Sequence, residues 1–281
     1  MKCLFATDLH GNRAVYDRLL DRAAGGEVDA VLLGGDLSPL EPPLDVLVEK
    51  QRRFWLERLV PWAEKIVGAG VRLIVIHGNN DLAANDDCLA RGEAEGRWEL
   101  AHDRVLRLGD VAVVGNGNIS LTPFILKDRE YFDREPGRLE DDASLALDDP
   151  HAIYTAPRAT PAEPTLADQL RKTFALVPSG LPTILLAHCP PRDTRLDRIH
   201  GGVSVGSWAV RQAIETHRPL VALHGHIHES PDAPGGGWRD EIGATIAVNP
   251  GSEIHLGAAA RLRLVAFDTA DVAGTIAYER L

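Results

Sequence analysis

The sequence predicts an α/β protein in which two mixed β-sheets pack together, with helices outside, in a single domain. One observation is that short, continuous apolar runs alternate with helical segments near the start of the chain, as in strands covered on both faces. Another is a hairpin signal followed by more helical and strand segments, which supplies further strands. The chain has 281 residues, of which 44% are hydrophobic, so it is long enough for one large domain.

The first part of the chain predicts three strands and two helical regions. The apolar run "KCLFAT" leads into "DLHGN" and a helix over 13–24, for which Asn12 is the expected N-cap. "DAVLLGGD" and "VRLIVIHGNND" are two further buried strands. Between them, a helical pattern over 45–67 is expected to break or restart at Pro61.

The middle of the chain predicts a hairpin and then an insertion. "RVLRLGDVAVVGNGN" indicates two strands joined at Gly109 and Asp110. The stretch 126–165 is first acidic and then rich in proline and alanine. It is interpreted either as a surface insertion or as a lid over a site, within the single domain of 1–281.

The last part returns to alternating elements. Helices are expected over 166–177 and 207–217, with the strand "TILLAHCPP" between them. "LVALHGHIH", "TIAVNPGS", "RLRLVAFD" and "GTIAYER" are the remaining strands.

Charge and composition exclude several classes of protein. The net charge is −11 and the pI is near 5.4, with lysine and arginine scattered, so binding of long nucleic acid is disfavoured. No apolar run approaches the roughly 18 residues of a membrane span, and Asp8 interrupts any signal-peptide core. Three unevenly spaced cysteines fit reduced thiols. A cytoplasmic protein is expected, with its oligomeric state left open.

Metal-competent side chains stand at the ends of five predicted strands. Carboxyl ends of strands are where ligands lie in open α/β sheets. The set mixes carboxylate, amide and imidazole groups, which suits Mn, Fe, Zn, Co or Ni, with Mn preferred here. Seven groups are too many for one tetrahedral site and fit two ions, bridged by one carboxylate and by a hydroxide nucleophile. The candidate ligands are Asp8, His10, Asp36, Asn79, His188, His226 and His228.

The order of these motifs resembles that of the calcineurin-like metallophosphoesterases. "DLH", "GGD", "GNND", "AHCPP" and "HGHIH" match the family's D-x-H, G-D, G-N-H-D/E, H and G-H-x-H pattern across 8–228. "GHIHES", "NPGS" and "TPF" resemble a little-characterised prokaryotic branch of predicted phosphoesterases. The resemblance implies a four-layer α/β/β/α sandwich.

The resemblance also implies how the ligands divide. Asp8, His10, Asp36 and His228 would hold one ion, and Asp36 would bridge to a second ion. That second ion would be held by Asn79, His188 and His226. The implied activity is hydrolysis of a small phosphoric monoester or diester.

One position departs from the family pattern. Asn80 stands where the family usually has a histidine that protonates the leaving oxygen or steadies the transition state. An amide can donate a hydrogen bond to a phosphoryl oxygen but cannot act as a general acid. We therefore expect a preference for leaving groups that depart without a proton, such as aryl or diphosphate groups. His200 is the candidate substitute acid, and Asn12, Asn80 and Arg192 are the candidate substrate contacts.

Other polar residues receive structural interpretations. Asp81 is expected to orient the backbone or a ligand, and His77 to be a satisfied strand histidine. His224, which precedes the G-H-x-H motif at an alternate position, is expected to pack or to support a ligand. The histidines without a pattern are expected at the surface, and they are His102, His151, His217 and His255.

Two other function classes stay open on the sequence. A non-catalytic metal-binding scaffold for a protein partner would use the same fold, although such a protein is expected to lose ligands. A nuclease would need a basic surface, which this charge balance does not provide.

Overall fold

A computed structural model of the chain describes residues 1–41, 46–134, 153, 155 and 164–281. Two six-stranded mixed sheets form its centre. The strands of the first sheet are β1 (Lys2–Ala6), β2 (Ala30–Gly34), β3 (Arg72–Ile76), β4 (Glu99–Leu100), β13 (Arg263–Asp268) and β14 (Ala277–Arg280). Those of the second are β5 (Val105–Leu108), β6 (Val111–Asn116), β9 (Thr183–Ala187), β10 (Val221–Leu223), β11 (Arg239–Ile242) and β12 (Thr245–Val248). A parallel pair, β7 (Ile119–Ser120) and β8 (Glu130–Tyr131), stands apart.

Each sheet contains a block of four neighbouring parallel strands. The first sheet runs β14-β13-β1-β2-β3-β4 and the second β11-β12-β10-β9-β6-β5. β1, β2, β3 and β4 are mutually parallel, as are β6, β9, β10 and β12. Because parallel neighbours end on the same edge, each sheet collects its strand-end loops at one side.

Helices cover the outer face of each sheet. Those near the first sheet are α1 (Arg13–Ala24), α2 (Leu47–Phe54), α3 (Val60–Gly68) and α4 (Asp86–Ala94). α5 (Leu166–Phe174) and α6 (Trp208–His217) cover the second sheet, and α7 (Val272–Thr275) is a short helix before β14. Short 3-10 helices occupy Ala83–Asn85 and Ile254–Ala259.

Three apolar cores separate these layers. Phe5 and Leu32 of the first sheet pack with Ile184 and Leu223 of the second in one buried cluster between the sheets. A second cluster joins α1 to α4 with the outer face of the first sheet, and a third joins α5 and α6 with the second sheet. The layer order is therefore α/β/β/α, which confirms the predicted fold class.

Most predicted elements are confirmed, with local corrections. Asn12 caps α1 by accepting a hydrogen bond from the Val15 N–H, and the hairpin β5–β6 is antiparallel as expected. Near Pro61 the helical region restarts without a gap, which was one of the two expected outcomes. It continues through a π-helical turn at Trp55–Leu59, and Pro61 lies in the first turn of α3, where a proline costs no hydrogen bond. α4, α7, β4, β7, β8 and β11 were not predicted.

The segment 126–165 is described only in part. Its first residues are packed: Lys127, Glu130 and Asp133 are buried. Most of the rest of the predicted insertion lies outside the described residues, so its role as an insertion or lid stays a prediction. In the described ranges, no helix is both long and apolar enough to cross a membrane.

Candidate metal centre

The loops after five strands meet where the two sheets face each other. β1 leads to Asp8, β2 to Asp36 and β3 to Asn79. β9 leads to His188, and β10 leads to the loop that carries His226. The three histidines of "LHGHIHES" lie beyond the end of β10, so the alternation of a strand does not set their directions.

Four of the predicted ligands form one compact cluster. The ligand atoms of Asp8, His10, Asp36 and His228 all lie within 4.8 Å of one another. His228 Nε2 is 3.2 Å from Asp8 Oδ1, and the Nε2 atoms of His10 and His228 are also 3.2 Å apart. This is the group that the resemblance assigned to one ion.

The other three predicted ligands surround the opposite side of Asp36. His188 Nε2 is 3.4 Å from Asp36 Oδ1 and 3.1 Å from Asn79 Oδ1. His226 Nδ1 is 2.8 Å from the same Asn79 oxygen. Asp36 therefore lies between the two groups, where a bridging carboxylate would have to be.

The backbone at these positions is strained. Asp8, Asp36, His10 and His226 have φ values of 55°, 52°, 43° and 68°. Left-handed backbone is unfavourable for residues with a Cβ, and such residues tend to cluster at functional sites. Four such residues in one cluster indicate that the chain keeps these side chains in their directions at a cost in local backbone stability.

Two glycines make room for the carboxylates. A Cβ on Gly78 would lie 2.2 Å from Asp36 Oδ1, and one on Gly225 would lie 2.4 Å from Asp8 Oδ2. Both distances are far below van der Waals contact. The glycines of "GNND" and "HGHIH" are therefore required because the backbone approaches the carboxylates, which is a tighter constraint than the turn expected from sequence.

Hydrogen bonds fix the orientation of the acidic groups. The Thr7 hydroxyl donates to Asp8 Oδ2 at 2.8 Å, and the His226 N–H donates to both Asp8 oxygens. The backbone N–H of Asn80 donates to Asp36 Oδ1 at 2.8 Å, and its side-chain amide donates to Oδ2 at 2.6 Å.

His188 is held in one orientation by the first sheet. Its Nδ1 lies 2.7 Å from the Gly34 carbonyl oxygen, which can only accept, so Nδ1 donates. Nε2 consequently faces Asp36 and Asn79. A carbonyl partner on the far nitrogen is the usual arrangement of a metal-ligating histidine.

The electrostatics of the cluster fit a cation. Burial lowers the pKa of His10 to about 4 and that of His226 to about 3, so both imidazoles are neutral, as metal ligation requires. Burial also disfavours charge on His188, but the field of Asp36 and a hydrogen bond to it outweigh this and raise its pKa to about 9. Burial opposes the charge of Asp36 too, yet His188 and His10 hold its pKa below the usual range.

The donor set therefore passes a test of fit for metal ions. Four imidazoles, two buried carboxylates and an amide oxygen converge, with nitrogen–oxygen distances of 2.8 to 3.4 Å, and this mixed donor set suits divalent transition-metal ions. Beside Asp36, the raised pKa of His188 favours a proton on that ring. Metal binding is expected to displace it.

Asp81 and Gln51 brace the loops beneath the cluster. The Asp81 carboxylate accepts from the backbone N–H groups of Leu37, Ser38 and Gly78, which confirms the predicted orienting role. Gln51, which sequence reasoning missed, is fully buried and donates to the carbonyl of Asn80.

The "NPGS" motif supports the histidine loop. The amide of Asn249 donates to the carbonyls of Leu196, Gly225 and Ile227, and Ser252 donates to the Asp8 carbonyl. The sequence singled out this motif without a role for it. Its partners lie 22 to 53 residues from Asn249, so no local pattern reveals them.

A cavity of about 770 Å³ opens above the cluster. His10, Asp36, Asn79, His226 and His228 contribute to its floor, and Asn12 and Asn80 also line it. Asn12 uses its oxygen to cap α1 and donates one amide hydrogen to the Gly257 carbonyl, which leaves a second amide hydrogen.

The two remaining candidates lie further away. His200 is 89% exposed, and its Nε2 is 4.0 Å from Oε1 of Glu229, a residue of the cavity lining. Arg192 is not among the described residues that line the cavity, and its backbone N–H donates to the Ser207 carbonyl. Their assigned roles stay predictions.

The other histidines gave mixed outcomes. His224 Nδ1 donates to the carbonyls of Ala187 and Cys189 on either side of His188, so the expected supporting role is confirmed. The prediction that His77 has its hydrogen bonds satisfied is wrong, because neither ring nitrogen has a hydrogen-bond partner in the described part of the chain. The prediction that His102 is a surface residue is also wrong, because its ring packs against that of His77, with the centroids 4.1 Å apart.

His217 and His255 are exposed as predicted, whereas His151 lies outside the described residues. The His217 ring also stacks on Phe174, with the centroids 4.0 Å apart.

The sequence over 1–230 matches the family model of the calcineurin-like phosphoesterases. The chain belongs to this family. Its fold is similar to that of one crystal structure with 20% identity, a TM-score of 0.65, and coverage of 99% of this chain and 98% of that chain. The crystal structure of TT1561 of Thermus thermophilus is also similar, with 17% identity, a TM-score of 0.61 and the same coverage of each chain. No protein of curated function matches the sequence significantly.

Proposed function

We propose that this calcineurin-like phosphoesterase is a metal-dependent phosphoric ester hydrolase that holds two divalent transition-metal ions, with Mn²⁺ the first candidate. The observation that carries the proposal is the convergence of all seven predicted ligands on the two sides of Asp36. Bound there, such ions would lower the pKa of a water molecule and neutralise charge on a phosphoryl group.

We assign the candidate ligands to two ions in the way that the resemblance implied. Asp8, His10, Asp36 and His228 would hold one ion. Asp36, Asn79, His188 and His226 would hold the other. Asp36 is the residue common to both, so its replacement tests both ion sites at once.

The rest of the site orients and admits a small phosphorylated substrate. Asn80 holds Asp36 in place through two hydrogen bonds, and its side chain borders the cavity beside the predicted position of the phosphoryl group. Asn12 can offer its second amide hydrogen to a substrate oxygen. His200 stays the candidate acid, although it is exposed and its nearest link to the described cavity lining is Glu229, whose Oε1 lies 4.0 Å from His200 Nε2.

The decisive experiment uses protein stripped with a chelator and reloaded separately with Mn²⁺, Fe²⁺, Zn²⁺ or Mg²⁺. Each form is assayed on p-nitrophenyl phosphate and bis-p-nitrophenyl phosphate, with Asp36→Asn as the control. We expect hydrolysis that requires the metal and is lost in the variant. Absence of hydrolysis on both esters, with two ions measured per chain, would favour the scaffold alternative.

Three wider expectations also remain predictions. They are the single domain over 1–281 with an insertion or lid at 126–165, the cytoplasmic location, and the absence of long nucleic acid among the partners. Oligonucleotide binding that weakens steeply with added salt would contradict the last of these.

A further inference from the structure

The cavity above the metal ligands has one wall that is apolar. Pro123, Phe124, Ile125 and Leu126 form it, in the segment that follows β7. Phe124 is 51% exposed and Ile125 is 38% exposed, so two large apolar side chains face open space inside a polar site. Exposed apolar groups that line a cavity are typical of ligand recognition.

This wall stands directly beside a metal ligand. The ring of Phe124 lies edge-on to that of His226, with the centroids 6.0 Å apart. A group attached to a phosphorus atom held by the ligand cluster would therefore reach Phe124 without leaving the cavity. The wall is placed to contact the substrate itself.

A buried ion pair holds the wall in place. Lys127 Nζ is 2.8 Å from Glu130 Oε2, and both side chains are almost completely buried. The same lysine donates to the Thr122 carbonyl at 2.6 Å, and Glu130 accepts from the Thr122 N–H at 3.0 Å. The turn over 122–127 is thus closed at its base, which fixes the position of its apolar tip before any ligand binds.

The charges of the cavity limit the substrate further. The described lining contains the carboxylates of Glu41 and Glu229 and no lysine or arginine. A phosphoric monoester carries nearly two negative charges at neutral pH, whereas a diester carries one. The lining therefore offers no side-chain cation for the second charge of a monoester, and it offers apolar surface for a second ester group.

We propose that the natural substrate is a phosphoric diester with an apolar, preferably aromatic, ester group that packs on Phe124 and Ile125. This inference rests on the proposed function. It proposes that the substrate is a diester and not a monoester. It also assigns substrate specificity to Phe124 and Ile125, which lie outside the family's metal-ligand motifs.

The first test measures binding without chemistry. Diphenylphosphinate and dimethylphosphinate are both monoanions without an ester bond, so they report recognition alone. By calorimetry on Mn²⁺-loaded protein, we expect the diphenyl anion to bind at least about 10-fold more tightly. Phe124→Ala is expected to reduce this preference by at least about 3-fold, and Phe124→Leu to retain most of it.

The matched control is Leu176→Ala, because Leu176 is also exposed, at 64%, but does not line the cavity. It should leave the preference unchanged. Equal binding of the two anions by the wild-type protein, or a preference that survives Phe124→Ala, would overturn the inference.

The second test measures turnover with a constant leaving group. Methyl 4-nitrophenyl phosphate and phenyl 4-nitrophenyl phosphate release the same 4-nitrophenolate and differ only in the group retained. We expect kcat/KM to favour the phenyl diester by about 10-fold, with the difference mainly in KM, and to favour it over the monoester 4-nitrophenyl phosphate. A preference for the monoester would overturn the inference.

The two tests separate the two levels of the argument. No hydrolysis of any ester under any metal would reject the proposed function, while the phosphinate measurement would still report on the wall. Hydrolysis of all three esters at similar rates would keep the proposed function and reject the substrate class.

Discussion

The two sheets bring different chemistry to the same site. The first sheet supplies both carboxylates and the amide oxygen, together with His10, whereas the second sheet supplies His188, His226 and His228. The oxygen ligands come almost entirely from one layer and the nitrogen ligands from the other. Each of the two proposed ion sites takes candidate ligands from both sheets, so the site depends on how the layers pack.

The sheets also differ in how they hold their ligands. On the first sheet, Asp8, His10 and Asp36 are directed by left-handed backbone in tight loops. On the second, only His226 of the three candidate ligands has left-handed backbone, and His188 is oriented by the Gly34 carbonyl of the opposite sheet. The side chains of Asn249 and Ser252, which support loops of the second and first sheet, can be replaced one at a time, so the contributions of the sheets can be tested separately.

The largest effect is expected where the two contributions meet. Asp36→Asn removes the one charge common to both groups of ligands, and we expect kcat/KM to fall at least about 10³-fold. Metal content, measured by mass spectrometry, should also fall. The matched control is Asp110→Asn, which changes an exposed carboxylate in the β5–β6 turn. A variant at position 36 that keeps both ions and full turnover would refute the bridging assignment.

The next prediction compares the braces of the two sheets. Asn249→Ala leaves buried carbonyls of the histidine loop without donors and should lower the free energy of unfolding by about 2–4 kcal/mol. Ser252→Ala removes one hydrogen bond, to the Asp8 carbonyl on the first sheet, and should cost about 1 kcal/mol. Urea unfolding measures both. Equal losses of unfolding free energy in the two variants would show that the histidine loop of the second sheet does not depend especially on Asn249.

The sequence predicted the ligands because their signal is local. Each follows an apolar run of strand length, and the parallel order of the strands brings the ends together. Residues whose role depends on distant partners were not predicted. The contact of His77 with His102 joins positions far apart in the chain. Lys127 and Glu130 are only three residues apart, but nothing in the sequence indicated that this pair is buried. The left-handed backbone at Asp8 and Asp36 also lacks a sequence signal, since glycine is the residue expected there.

The third prediction concerns Asn80, which stands where the family usually has a histidine. With no imidazole at this position, turnover should depend steeply on the leaving group, so aryl esters should react much faster than alkyl esters. Asn80→His is expected to narrow that ratio by at least about 10-fold, measured as kcat/KM on matched aryl and alkyl diesters.

His200 provides the companion test. If its imidazole is the acid, His200→Gln should slow alkyl esters selectively, because aryl leaving groups need no proton. His255→Gln, another exposed histidine, is the control. Equal efficiency of the wild-type protein on aryl and alkyl esters, together with an unaffected His200→Gln variant, would contradict the expected leaving-group preference and the role of His200.

The last prediction follows from the division of candidate ligands between the two layers. Ions that take oxygen atoms from one sheet and nitrogen atoms from the other would link the layers, and only the folded chain brings both sets together. At an ion concentration of about 100 times Kd, the folded state gains about 2.7 kcal/mol per site, which corresponds to a rise in Tm of about 5 °C. Calorimetry with and without a chelator measures it, and Asp36→Asn should show a much smaller shift while Asp110→Asn keeps the full one. If two ions bind and Tm does not change, ion binding does not require the packed sheets. That outcome would contradict the view that the ions link an oxygen-supplying sheet to a nitrogen-supplying one.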